Sequence, residues 1–117
     1  MLLTNTTHII QVTTSTSQSL DYTVSYVDIT TTTYTPGSVQ GNIAAATTTT
    51  ILAAPAASTQ RDIKQITLTN VGGSNNAVTL VTDISGTEYR LFPLQTLATG
   101  ESLDYHDGVG FAKHAPT

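Results

Sequence analysis

Cysteine and tryptophan are both missing from the 117 residues, and only Arg61, Lys64, Arg90 and Lys113 carry a fixed positive charge. Without cysteine, neither disulfides nor thiolate metal sites can hold the fold, so its stability has to come from packing or from partners. Four cations in a chain of net charge −4 cannot form the phosphate-neutralising stripe on which nucleic-acid affinity depends, which excludes DNA or RNA as the main ligand. Long apolar runs are missing too. No stretch approaches the roughly 18 apolar residues of a membrane span, and Met1-Leu2-Leu3-Thr4-Asn5 lacks the basic-then-apolar order of a signal peptide. The expectation is a protein made and kept in a cytoplasm, with no membrane partner, unless it leaves inside something larger.

Charged residues amount to 10% of the chain, against about a quarter in ordinary globular proteins. The surface is therefore covered by neutral polar groups, chiefly threonine and serine, with little charge to hold copies apart, and self-association is an expectation. The length suits one domain with one core.

What is present is β-forming. Threonine and other β-branched residues, stiff at χ1, suit a pleated sheet and run through nearly every segment. Leu20, Tyr22, Val24 and Tyr26 alternate with Asp21, Thr23 and Ser25, a strand pattern whose phase changes at Val27-Asp28-Ile29, as a bulge or a change of face would produce. Residues 61 to 70 read as a strand with Ile66 and Leu68 on a buried face. Asn70 to Asn76 reads as a turn into a return strand from Ala77 to Ile84. Ser85-Gly86 is a second tight turn, Thr87 to Phe92 a strand ended by Pro93, and Asp107-Gly108 turns Ser102–His106 into Val109–Ala112. The sum is an all-β chain: a single compact antiparallel β-sandwich or small β-barrel, jelly-roll-like, with 51 to 113 as a β-meander. Met1 to Thr7 reads as an extended N-terminal arm, and 30 to 50 as a Thr-rich loop or edge strand, with the edge strand, laid against a neighbouring subunit, the preferred reading for Thr47 to Leu52.

Candidate chemistry is thin. Ser102, Asp104 and His106 have the residue types of a hydrolytic triad. Next-but-one strand positions, about 6.5 to 7 Å apart, suit a polar strand face better than a linked nucleophile and base. Asp104, His106 and Asp107 match no zinc or EF-hand spacing, and Asp107 is more simply the start of an Asp-Gly turn. His8 and His114 have no chelating companion. Asp83 and Glu88 flank a turn without an aromatic sugar platform. Gly72-Gly73 and Gly108-Val109-Gly110 lack the remainder of a phosphate loop, and Asn5-Thr6-Thr7 is a glycosylation pattern without a secretory route. No catalytic, metal or cofactor residue is assigned, and no enzyme activity is expected. Tyr22, Tyr26 and Tyr34 read as a subunit interface, together with Tyr105 and with Arg61 and Arg90, two scarce cations expected to meet a carboxylate such as Asp62 or Glu88 of a neighbour.

From Ile51 to Phe111 the sequence resembles small structural proteins of tailed bacteriophages, of the head decoration or head-fibre type. The likeness lies in Ala53-Ala54-Pro55-Ala56-Ala57-Ser58-Thr59-Gln60-Arg61, Leu68-Thr69-Asn70, Ser85-Gly86-Thr87-Glu88-Tyr89, Gly100-Glu101-Ser102-Leu103-Asp104-Tyr105 and Asp107-Gly108-Val109-Gly110-Phe111. Phe111 stands where such proteins often carry tryptophan. The resemblance implies a virion component on the head surface, with the major capsid protein as partner and a homotrimer as the favoured oligomer. Its rival is a receptor- or glycan-binding module of a tail or baseplate.

Overall fold

The computed structural model describes residues 1–92 and 94–115. Among these residues eleven strands form two antiparallel sheets packed face to face, the sandwich rather than the barrel of the two expected architectures. The strands are β1 (Leu2–Leu3), β2 (His8–Thr14), β3 (Leu20–Ile29), β4 (Tyr34–Ile43), β5 (Thr48–Leu52), β6 (Gln60–Asn70), β7 (Asn76–Ile84), β8 (Thr87–Arg90), β9 (Gln95–Leu97), β10 (Ser102–His106) and β11 (Gly110–His114). The first sheet runs β11-β10-β6-β3-β4, with β1 added beside β6; the second runs β5-β2-β7-β8, with β9 also paired to β7.

Alternating apolar residues of both sheets meet in one core: Ile10 and Val12, Leu20 and Val24, Ile51 and Leu52, Ile66 and Leu68, Val78 and Leu80, Leu97 and Leu103. Two irregularities feed it: Ile51 is the extra residue of a bulge in β5, so adjacent Ile51 and Leu52 are both buried, and β6 carries another. Ser25 pairs with Gln65 and Tyr26 with Ile63, which leaves Lys64 as the extra residue of a bulge in β6. Ile63 and Ile66, three apart, therefore both enter the core. The phase change read at Val27 to Ile29 belongs to this bulge, on the neighbouring strand.

Three expectations are corrected. Residues 1–7 are not a free arm: β1 pairs with β6, Leu3 is completely buried, and the Met1 amine lies 2.8 Å from Asp107 and 2.9 Å from the Tyr105 hydroxyl. Leu3 supplies core surface, and that holds the segment down. Of the two readings of residues 30–50 the long loop is corrected, because β4 pairs with β3 along its whole length, whereas an edge strand does lie at Thr48–Leu52, where β5 pairs with β2 and ends the second sheet. The four threonines Thr30 to Thr33 make only the β3–β4 turn, closed by bonds that the backbone N–H groups of Thr32 and Thr33 donate to the Thr30 hydroxyl oxygen.

The third correction concerns the meander. β6 and β7 form no hairpin but lie in opposite sheets. Asn70 and Asn76, both completely buried, pin this crossing: Asn70 Nδ2 donates to the carbonyls of Ser74 and Leu97, and Asn76 Nδ2 to that of Gln18. Satisfying carbonyls in the interior is what makes buried asparagine tolerable. Two tight turns stand as read. Ser85 (φ 54°) and Gly86 (φ 89°) form the two-residue link of the β7–β8 hairpin, and Asp107-Gly108 leads β10 into β11. The strand end assigned to Pro93 lies outside the described residues.

Candidate interaction surface

The six residues singled out as an interface separate into different environments. Tyr22 and Tyr26 lie half-buried against the core, each laid over a glycine of the adjacent strand β4. A Cβ on Gly37 would sit 2.7 Å from the Tyr26 ring, and one on Gly41 would overlap the Tyr22 phenol. The glycines are thus required by close approach, since the rings occupy the space a side chain would take. These tyrosines brace the edge strand from inside. Tyr34, 65% exposed, stands free at the start of β4.

Arg61 finds its carboxylate within the chain, not on a neighbour. Its Nε and Nη2 donate to the two oxygens of Asp28 at 2.8 and 3.0 Å, and Nη1 donates to the Ala53 carbonyl in the segment after β5. The guanidinium centre lies 4.3 Å from the Tyr26 ring centroid. Arg61 on the first sheet is thereby tied to the second, and the hydrogen bonding it donates to Asp28 raises its pKa. Arg90 is exposed on β8, beside Val81, with no ion pair among the described residues. Tyr105 is turned inward, 9% exposed, because β10 directs Leu103 and Tyr105 to the core; burial raises its pKa.

The other groupings have local uses. Ser102, Asp104 and His106 lie on the strand face opposite Leu103 and Tyr105; Asp104 pairs with His114 at 3.1 Å. Asp107 holds the Met1 amine, which lowers its pKa, and accepts a bond from Lys64. Asp83 and Glu88 are directly opposite each other in the β7–β8 hairpin, where Asp83 accepts the Gly86 N–H at 2.9 Å. His8 bonds Thr82 Oγ1, and burial lowers its pKa. Among the described residues no three His, Asp or Glu side chains gather as a metal site would require.

A cleft of about 480 Å³ opens at one end of the sandwich, between Thr4 to Thr6, the β3–β4 turn at Ile29 to Thr31, and Ala56 to Gln60. Ser58 on its rim has φ of 59°, a left-handed conformation rare outside glycine. Its lining carries no charge.

A further surface is a flank. β4 ends the first sheet and β5 ends the second on the same side, joined by residues 44–47 and lying against each other. From Ile29 to Gln60 the sequence contains no Asp, Glu, Lys, Arg or His. This run of 32 residues supplies both edges, so two open strand edges share one uncharged flank. Such a gap in the charge pattern is visible in the sequence; that it forms a single side of the molecule is visible only once the sheets are ordered. The opposite flank, formed by β8, β9 and β11, holds an aromatic group: Phe111 lies 5.0 Å from Phe92 and 4.9 Å from Tyr105, ring centre to ring centre. Leu94 and Val109 are exposed there.

No family model, no curated protein and no solved structure matches this chain.

Proposed function

We propose that this chain is a virion structural protein, a decoration protein that binds the outside of a tailed-phage head and stabilises it through contacts with the major capsid protein and with its own copies. The observation that carries the reading is the uncharged flank of β4 and β5. An edge strand exposes a row of main-chain donors and acceptors, and soluble proteins usually guard such edges with charges. Here charges are missing over ten residues of β4 and five of β5, leaving Pro36 and a bulge at Ile51 as the protection of these edges. A protein whose task is to be assembled gains from such an edge, because main-chain pairing and shape supply contact without a charged site. Repetition over many equivalent positions on a shell then multiplies a modest contact into firm attachment. The resemblance of residues 51 to 111 to phage head proteins supports the same reading. No enzymatic step is part of it.

The decisive experiment mixes purified protein with expanded, undecorated heads and, in parallel, with tails, and counts bound copies. Saturation at a fixed ratio to the major capsid protein, with heads that withstand higher temperature, is the expected result. Binding to tails or host cells and not to heads would favour the second reading, a receptor- or glycan-binding module. That reading draws on the end cleft, whose Asn5, Thr30, Ser58 and Gln60 offer neutral hydrogen-bonding groups.

A further inference from the structure

We infer that the β4 edge pairs with the β4 edge of a second copy, antiparallel about a two-fold axis through Gln40, joining two first sheets into one. The β3–β4 turn sets which groups are free to do so. Thr30 N–H donates to the Thr33 carbonyl at 3.0 Å, so Thr30 and Thr33 are a hydrogen-bonded pair. Antiparallel ladders alternate bonded and non-bonded pairs, and the register continues without a break from Ile29 opposite Tyr34 to Leu20 opposite Ile43. Thr35, Gly37, Val39, Gly41 and Ile43 therefore direct their main chain to β3. Ser38, Gln40 and Asn42 direct theirs outward. Pro36 offers an outward carbonyl but no N–H.

An axis through Gln40 uses all three outward donors. Gln40 then faces Gln40 of the second copy, and Ser38 faces Asn42 on either side, each pair exchanging two main-chain bonds. Moving the axis toward Pro36 brings the proline opposite an outward donor and loses bonds; moving it toward Asn42 runs the pairing off the strand. On the core side of the sheet, Val39 meets Gly41 and Gly37 meets Ile43, a large residue beside a small one each time. An isologous contact needs such self-complementarity.

Charge points to a second copy as the occupant. Each copy has net charge −4, so a contact between copies is least opposed where no charge lies. The nearest acids on β3 are already engaged, Asp21 with Asn42 Nδ2 at 2.7 Å and Asp28 with Arg61. A two-fold contact makes dimers, where the phage-head resemblance implies trimers. The inference rests on the reading of the chain as an assembly component, but its test uses no phage head, so the two can fail separately.

Sedimentation equilibrium of the purified chain tests it, together with Gln40→Pro and Gln40→Lys. Proline at 40 removes an outward N–H that β3 does not use, and lysine places two like charges on the axis. Both are expected to weaken the dimer roughly tenfold or more, with the monomer's far-ultraviolet dichroism unchanged. Gln40→Cys gives the same answer by another route. Hydrogen-bonded partners have Cα atoms about 5.5 Å apart, within disulfide range, so mild oxidation should link Gln40→Cys into covalent dimers. Cysteine in place of Val109, 85% exposed on the opposite flank, should not link. A monomer at every concentration, association that persists in Gln40→Lys, or equal cross-linking of the two cysteine variants would overturn the inference.

Discussion

The two flanks of the sandwich are held by different physics. On the β4 side, Tyr22 and Tyr26 lie across Gly41 and Gly37, and no charged residue occurs from Ile29 to Gln60. On the β11 side, Phe111 closes an aromatic group with Phe92 and Tyr105, while Lys113 bonds the Thr96 carbonyl and pairs with Glu101. Packing and hydrogen bonds secure the first flank, where the Asn42 amide of β4 donates to Asp21; packing and an ion pair secure the second. The ion pair makes the second flank the more sensitive to salt. For a protein meant to meet its own copies, the first kind of side is the better one to present.

Substitutions can break this contrast. Gly41→Val has the largest expected effect, because the new side chain must displace the Tyr22 ring from the edge strand. Overpacking of that kind costs about 1 to 3 kcal/mol, and hydrogen exchange should show β4 losing protection first. Phe111→Ala is expected to cost less, about 1 to 2 kcal/mol, since the ring is already 37% exposed. Its loss of protection should appear in β11 and leave β4 unchanged. If both variants loosened both edges equally, the flanks would not be independent.

The smallest effect sharpens the comparison by pH. Glu101 has a lowered pKa because its carboxylate accepts the Ala98 N–H, and Asp107 because it holds the Met1 amine. A carboxylate whose folded pKa is depressed adds stability above its unfolded value and loses it as pH falls through the folded one. Acidification below the ordinary carboxylate range should therefore speed exchange at 98–107 and in β11, with β5, whose pairing to β2 involves no carboxylate, unaffected. His8, lowered by burial, acts earlier: as pH falls below its ordinary value of 6.5, the unfolded chain takes up a proton the folded one resists. Thermal melts of His8→Gln should lack that first decline.

Much of this was legible in the residues. Alternation in Leu20 to Tyr26 places β3, and turn chemistry places Ser85-Gly86 and Asp107-Gly108, because both signals are local. Leu3 was misread as part of an arm, since a two-residue strand is too short to show a period. Asn70 and Asn76 looked like turn formers, as asparagine usually is, and their interior bonds to Leu97 and Gln18 depend on segments distant in sequence. Arg61 was assigned a partner on a neighbour because Asp28 is 33 positions away along the chain. Tyr105 was offered as interface although its alternation with Leu103 already pointed to a core face.

By itself the sequence determined the class of fold, through β-branched content and period-two patterning, and it determined that one long stretch would carry no charge. Only the tertiary structure decided that this stretch makes one flank, that β6 and β7 belong to different sheets, and that Gln40 stands on an open edge. Periodicity is a property of neighbouring residues, whereas strand order and edge exposure depend on which distant strands pair, and that is settled by packing the whole core at once.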